Sequence, residues 1–207
     1  MHGPAETIEA VIFDIGNVLV RWDIRALYAK LIADPEELDW FLRTVVTMEW
    51  HSQHDAGRPM DETIAELSAA YPAYAELIAA FKPRWTETIL GPIEGSVALL
   101  QRLHTRGVPL YALTNYSAET FPLFRRDYPF AGWFRDIVVS GEHKLIKPDP
   151  RIFTLAIQRF EITPQRTLFI DDRPDNVTAG RSAGLLCHHF TGPDRLEAAL
   201  RRHGLLD

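Results

Sequence analysis

Cysteine is almost absent from this 207-residue chain: Cys187 is the single one. One thiol closes no internal disulfide, so the fold must rest on its core, as suits a reducing compartment. Cys187 follows Leu185-Leu186 and reads as core, not as a nucleophile. There is no run of Lys or Arg, and the formal net charge is −6. Nucleic-acid binding therefore lacks its electrostatic footprint. Long hydrophobic runs are missing too. The longest, over residues 11–20, is broken by Asp14, Gly16 and Asn17, too short and too polar to span a bilayer. Residues 1–10 lack a basic stretch followed by an apolar one, so no leader and no membrane partner are expected, and the cytoplasm is the expected location.

What is present is enough apolar residue, 46% of the chain, for one good core and a small second module. Several short apolar runs end in polar residues. Ala10-Val11-Ile12-Phe13 leads to Asp14, Leu110-Tyr111-Ala112-Leu113 to Thr114, Ile137-Val138-Val139 to Ser140, and Leu168-Phe169-Ile170 to Asp171-Asp172. Apolar runs without alternation suit strands buried on both faces. Helical spacing separates them: Val97, Leu100 and Leu103 end at Gly107, and Asp149-Pro150 reads as an N-cap and first helical residue. The expected fold class is α/β, with a Rossmann-like parallel sheet.

Residues 22–91 differ, with no strand-like run and only amphipathic helical spacing. Leu38, Phe41, Leu42, Val45 and Val46 share one helical face, and Tyr74, Leu77, Ile78, Phe81 and Trp85 another. Gly91-Pro92 closes the block. The expected organisation is a discontinuous α/β core, 1–21 and 92–207, with an all-helical insert over 22–91. In open parallel sheets ligands bind outside the carboxyl ends of the strands. Asp14, Thr114, Ser140, Asp171 and Asp172 would gather on that edge, more polar groups than turns alone require.

The segment Val11-Ile12-Phe13-Asp14-Ile15-Gly16-Asn17-Val18-Leu19 resembles the first motif of the haloacid dehalogenase superfamily. Leu113-Thr114-Asn115 resembles the second, Lys147-Pro148-Asp149-Pro150 the third, and Phe169-Ile170-Asp171-Asp172-Arg173-Pro174-Asp175-Asn176 the fourth, in the family's order. The insert stands where that family carries a helical cap. The resemblance implies a hydrolase with Asp14 as covalent nucleophile. It implies that Asp14, Asp172 and the Gly16 carbonyl hold Mg2+. Asp171 would orient a metal-bound water. Asp175 and Asn176 would lie a turn further on, Asp175 as a helix N-terminal residue or as a metal ligand. Thr114 and Asn115 would donate to phosphoryl oxygens, and Lys147 would neutralise charge. Lys144 is expected in solvent.

One departure matters. Family phosphatases usually have a second Asp two residues after the nucleophile, which protonates the leaving alcohol and later activates water. Here Gly16 stands there, and losing a positioned acid–base group removes roughly 10²–10⁴-fold of rate. The Asp-x-Gly-Asn motif resembles the family's sugar-phosphate phosphatases, which implies a small phosphorylated substrate. A 2-haloacid dehalogenase, needing neither acid nor metal, is the alternative. A non-catalytic phosphometabolite-binding protein is the third. The segment Glu49-Trp50-His51-Ser52-Gln53-His54-Asp55-Ala56-Gly57 resembles the cap's specificity segment, so Trp50, His51 and His54, with Arg21, would meet the substrate. Trp22, Trp50 and Trp85 equally suit the insert's own core. The chain would act as a monomer or homodimer.

Overall fold

A computed structural model describes residues 7–207; residues 1–6, part of the stretch read for a leader, lie outside it. In chain order the first half holds β1 (Ala10–Phe13), β2 (Val20–Trp22), α1 (Arg25–Tyr28), α2 (Pro35–Thr44), α3 (Met48–Asp55), α4 (Met60–Ala70), α5 (Ala75–Ala79) and β3 (Ile89–Pro92). The second half holds α6 (Glu94–Thr105), β4 (Leu110–Thr114), α7 (Phe121–Asp127), β5 (Asp136–Val139), α8 (Ser140–His143), α9 (Pro150–Phe160), β6 (Thr167–Asp171), α10 (Pro174–Ser182), β7 (Leu186–His189) and α11 (Pro193–Arg202).

Five strands form a parallel sheet in the order β5-β4-β1-β6-β7. Successive residues of a strand point to opposite faces. Val11, Phe13, Ala112, Val139 and Ile170 join one apolar cluster with Leu100 and Leu103 of α6 and Leu196 and Leu200 of α11. Ala10, Ile12, Leu113, Val138 and Phe169 join a second with Ile152, Phe153 and Phe160 of α9. Both faces are covered, which is why these strands read as unbroken apolar runs. This is the expected α/β architecture. Cys187 is half-buried on the edge strand β7, and burial pushes its thiol up to about 11, consistent with an inert side chain.

The helix ends follow their sequence signals. Asp149 accepts from the Arg151 amide with Pro150 in the first turn, as its sequence position predicts, and Asp34 likewise caps α2 ahead of Pro35. Two expectations for residues 22–91 need correction. Ile89–Pro92 is a strand, pairing antiparallel with β2 and bulged between Arg21 and Trp22, so a two-stranded ribbon forms the neck of the insert. Gly91-Pro92 hid it, because those residues signal a turn unless a partner strand fixes them. The face from Tyr74 to Trp85 belongs to no single helix. It is split into a turn over Pro72–Tyr74, α5, and a further turn over Trp85–Thr88. Pro83 lacks an amide hydrogen and disfavours helix at Lys82. Ile78, Phe81 and Trp85 are nonetheless buried together with Phe41 and Trp50. No helix among the described residues is long and apolar enough to cross a membrane.

The insert meets the core where Gly57 lies against Gly141, which itself packs on the loop after β4. Gly57, just past α3, has φ +86, and a Cβ there would stand 2.7 Å from the Gly141 carbonyl oxygen. A Cβ on Gly141 would stand 2.6 Å from the Ala118 amide nitrogen and 2.8 Å from the Tyr116 oxygen. Those neighbours are backbone and do not swing aside. Gly141→Ala should cost about 1–3 kcal/mol, the usual effect of overpacking, read as a lower urea midpoint. An unchanged midpoint would mean that the start of α8 can slide away from the loop after β4.

Candidate active site

The carboxyl ends of β1, β4 and β6 deliver the polar residues. Asp14 follows β1, Asn115 follows β4, Asp171 ends β6, and Asp172 comes next. Lys147 reaches them from the loop between α8 and α9. Its buried ammonium donates to Asp171 Oδ2 at 2.7 Å and to the Leu113 carbonyl at 2.8 Å, and pairs with Asp14 Oδ1 at 3.0 Å. The Ile15 amide donates to Asp14 Oδ1 at 2.7 Å. Asp171 is saturated: besides Lys147 it accepts from the Arg173 amide at 2.9 Å and from Asn176 Nδ2 at 3.0 and 3.2 Å.

Charge is badly balanced here. Oxygens of Asp14, Asp171 and Asp172 lie within 4.8 Å of one another, facing one buried lysine. Arg173 is near, but Asp175 holds its guanidinium at 2.8 and 3.1 Å. Burial pushes the Asp14 carboxyl up to about 7; Lys147 opposes this, and Asp171 and Asp172 reinforce it. Burial, then Asp171, also raises Asp172. For Lys147 burial favours the neutral amine, yet Asp14 and Asp171 outweigh it and hold the ammonium charged. An all-oxygen cluster with surplus negative charge is the donor set of a hard divalent cation.

Gly16 lines the adjoining cavity, and its carbonyl takes none of the hydrogen bonds that close its turn: the amides of Val18, Leu19 and Val20 go to the Ile15 oxygen, and the Asn17 amide to the Val20 oxygen. Asn17 holds this turn at φ 54, a conformation asparagine tolerates, with its side-chain oxygen on the Trp22 amide. Asn115 has a duty its sequence did not reveal. Its Oδ1 accepts from the Lys147 amide at 2.8 Å and its Nδ2 donates to the Lys147 carbonyl at 3.0 Å. It positions Lys147, with one side-chain N–H left to offer a substrate. Thr114 is wholly buried, its hydroxyl unpartnered, and does not line the cavity. Asp175 is exposed and stands outside the carboxylate cluster; Asn176 is buried against Asp171. Lys144 is exposed, as expected.

The cavity, about 310 Å³, opens between these strand ends and the insert. Its far wall includes Trp22, Met48, His51, Ser52, Asp55 and Trp85. Positions 48, 51, 52 and 55 have the spacing of one face of α3. Trp50 and His54, the other two residues expected to meet substrate, lie on the opposite face and inside the insert. Trp50 Nε1 donates to the Thr63 carbonyl at 3.3 Å, and His54 Nε2 lies 2.6 Å from Thr63 Oγ1. Arg21 bonds the Leu90 carbonyl and is absent from the cavity wall. His51 lies between Trp22 and Trp85, ring centroids 4.8 and 5.6 Å away. Burial, then His54, holds its imidazole down to about 3, so it is neutral at ordinary pH. Helical phase would have separated His51 from Trp50 and His54. Tyr116, two residues beyond the end of β4, also lines the cavity and was legible as another residue on that edge.

The raised Asp14 pKa fixes a sign. Its protonated form is favoured by folding, so this contribution to stability is full below about 4 and is lost as pH rises through about 7. Asp14→Asn should therefore raise the urea midpoint of chelator-treated protein at pH 8, with a smaller gain at pH 5. A lower midpoint at pH 8 would mean that the pairing with Lys147 outweighs burial.

A family model for haloacid dehalogenase-like hydrolases matches residues 8–184. The sesquiterpene phosphatase of Aspergillus oryzae is 28% identical over 188 residues, 89% of this chain and 91% of that one. The phosphorylated carbohydrates phosphatase of Thermotoga maritima is 25% identical over 186 residues, 86% of this chain and 82% of its own. Among solved structures, a haloacid dehalogenase family enzyme of Bacteroides thetaiotaomicron, in complex with magnesium and inorganic phosphate, is similar with a TM-score of 0.69, at 21% identity, over 89% of this chain and 95% of that one. With its strand order, the carboxylate and lysine cluster at the strand ends, and a family match over most of its length, the chain belongs to the haloacid dehalogenase-like hydrolases.

Proposed function

We propose that this hydrolase is a magnesium-dependent phosphatase of a small phosphorylated metabolite, a sugar phosphate being the type, and that Asp14 carries the phosphoryl group between two half-reactions. The observation that carries this reading is the surplus of carboxylate over lysine at the strand ends. A phosphate dianion would be repelled from that cluster unless a cation joined it. Asp14, Asp172 and the Gly16 carbonyl are the groups that would hold magnesium; Asp171 is already bonded on both oxygens. When bound, the ion supplies charge neutralisation for the carboxylates and for the phosphoryl oxygens.

The chain's own groups do the rest. Asp14 Oδ attacks phosphorus, and the alcohol oxygen departs on the opposite side. Lys147 and the remaining Asn115 side-chain N–H offset charge on the phosphoryl oxygens. Water then cleaves the aspartyl phosphate and releases inorganic phosphate. The segment 22–91 serves as the cap, closing the small cavity over the reacting atoms. The named activities of the Aspergillus and Thermotoga relatives support a phosphatase, and the magnesium and phosphate complex of the Bacteroides enzyme supports the cation. The dehalogenase alternative has less behind it, because halide displacement gives no use to a clustered second and third carboxylate.

Hydrolysis of p-nitrophenyl phosphate with and without magnesium is the test. Release should require the ion and fall by roughly 10⁴-fold or more in Asp14→Asn, since the nucleophile is gone. No release from wild type, with chloride released from 2-chloropropionate, would establish the dehalogenase instead. Asp172→Asn should raise the magnesium needed for half-activation by about 10-fold or more, while Asp175→Asn stays near wild type. Equal effects would move the ligand assignment to the exposed acid.

A further inference from the structure

We propose that Asp55, presented by the insert, is the acid and base that Gly16 cannot be; this rests on the phosphatase reading above. In-line displacement puts the leaving oxygen on the side of phosphorus away from Asp14, which is the side lined by the insert. Among the described residues, three carboxylates line the cavity. Asp14 and Asp172 belong to the strand ends, and Asp55 alone comes from the insert. His51 is the other titratable group of that wall, and it is held neutral. Tyr116 is a poor acid, because burial raises its phenol above the ordinary value.

Asp55 is also fixed in place. It ends α3, and its carbonyl accepts from Ser140 Oγ at 2.6 Å. The same hydroxyl accepts from the Tyr116 amide at 2.9 Å, and the Gly141 amide donates to the Tyr116 carbonyl at 3.1 Å. The close approach of Gly57 to Gly141 completes the joint. The carboxyl group is thereby registered against the loop after β4, which also carries Asn115. Among the described residues its oxygens take no hydrogen bond; His51 Nε2 stands 3.6 Å from Oδ2, too far for one. The carboxyl remains free to bond a substrate oxygen. Burial, then Asp14, pushes it up to about 7 against the pull of Lys147, so both protonation states are accessible near neutral pH.

The steps balance. In the first, the Asp14 oxygen–phosphorus bond forms, the phosphorus–alkoxy bond breaks, and the Asp55 proton passes to the departing oxygen as alcohol. In the second, the water oxygen–phosphorus bond forms and the Asp14 oxygen–phosphorus bond breaks, while the Asp55 carboxylate takes a proton from that water. Asp14 is left as carboxylate, Asp55 as acid, and inorganic phosphate leaves.

The test compares p-nitrophenyl phosphate with phenyl phosphate, two esters of similar shape whose leaving groups differ in their need for a proton. In Asp55→Asn, kcat/KM for phenyl phosphate should fall about 10²-fold or more, while that for p-nitrophenyl phosphate stays within a few-fold. On p-nitrophenyl phosphate kcat should still fall, with a burst of p-nitrophenol matching the enzyme present, because the second step has lost its base. A Cβ at Gly16 meets nothing within 4 Å, so Gly16→Asp in the Asp55→Asn background has room for the acid, and recovery of phenyl phosphate hydrolysis would support the assignment. Equal losses on both esters, or none on phenyl phosphate, would overturn it. Wild-type protein inactive on both esters with magnesium would overturn the phosphatase reading itself.

Discussion

The ammonium of Lys147 is the centre of this structure. It is buried, and its three oxygen partners come from the carboxyl ends of three neighbouring strands: Leu113 of β4, Asp14 after β1 and Asp171 of β6. A buried charge is tolerated only when paired and hydrogen-bonded on all sides. Those requirements fix where the three strands end relative to one another. They also explain Asn115, whose side chain grips both the amide and the carbonyl of Lys147. The lysine neutralises too little, however, and the remaining carboxylate charge is the force that makes the site receptive to a cation.

The insert supplies the opposite chemistry. Its inner face offers Trp22, Met48 and Trp85 around a neutral histidine, and a carboxyl group with little to bind. Apolar surroundings are what keep His51 uncharged and what lift Asp55 out of the usual carboxylate range, both chiefly through burial. The cavity therefore has a charged floor and a largely apolar roof. Apolar desolvation also strengthens each electrostatic contact at the floor, so roof and floor act on the same reaction.

Attachment of the roof is correspondingly tight. Ser140, read in sequence as one more polar strand end, faces the insert and not the substrate, and joins Asp55 to Tyr116. Gly57 lets the insert approach the main chain of Gly141, and Gly141 in turn lets α8 pack on the loop after β4, where a Cβ would clash with main chain. The ribbon of β2 and β3 gives a second connection, at the neck. A site built across two such parts needs both connections to keep its reacting groups in register.

The sheet and its polar edge were legible in the order of the amino acids alone. Strands buried on both faces must be apolar at every position, so β1, β4, β5 and β6 announced themselves, and Asp14, Asp171 and Asp172 with them. Asp149-Pro150 likewise fixed the start of α9 through local capping chemistry that depends on no distant residue. The rest follows from contacts between segments distant along the chain. β3 exists because β2 lies beside it, and Pro83 breaks a helix whose apolar spacing looked continuous. Trp50, His51 and His54 are neighbours in sequence, but helix phase turns two of them into the insert and one toward the cavity. The sequence could say that Gly16 transfers no proton. Which group stands across the cavity from Asp14 depends on how the end of α3 docks against residues 140–141, contacts about 85 positions away along the chain, and no local pattern encodes a contact of that kind.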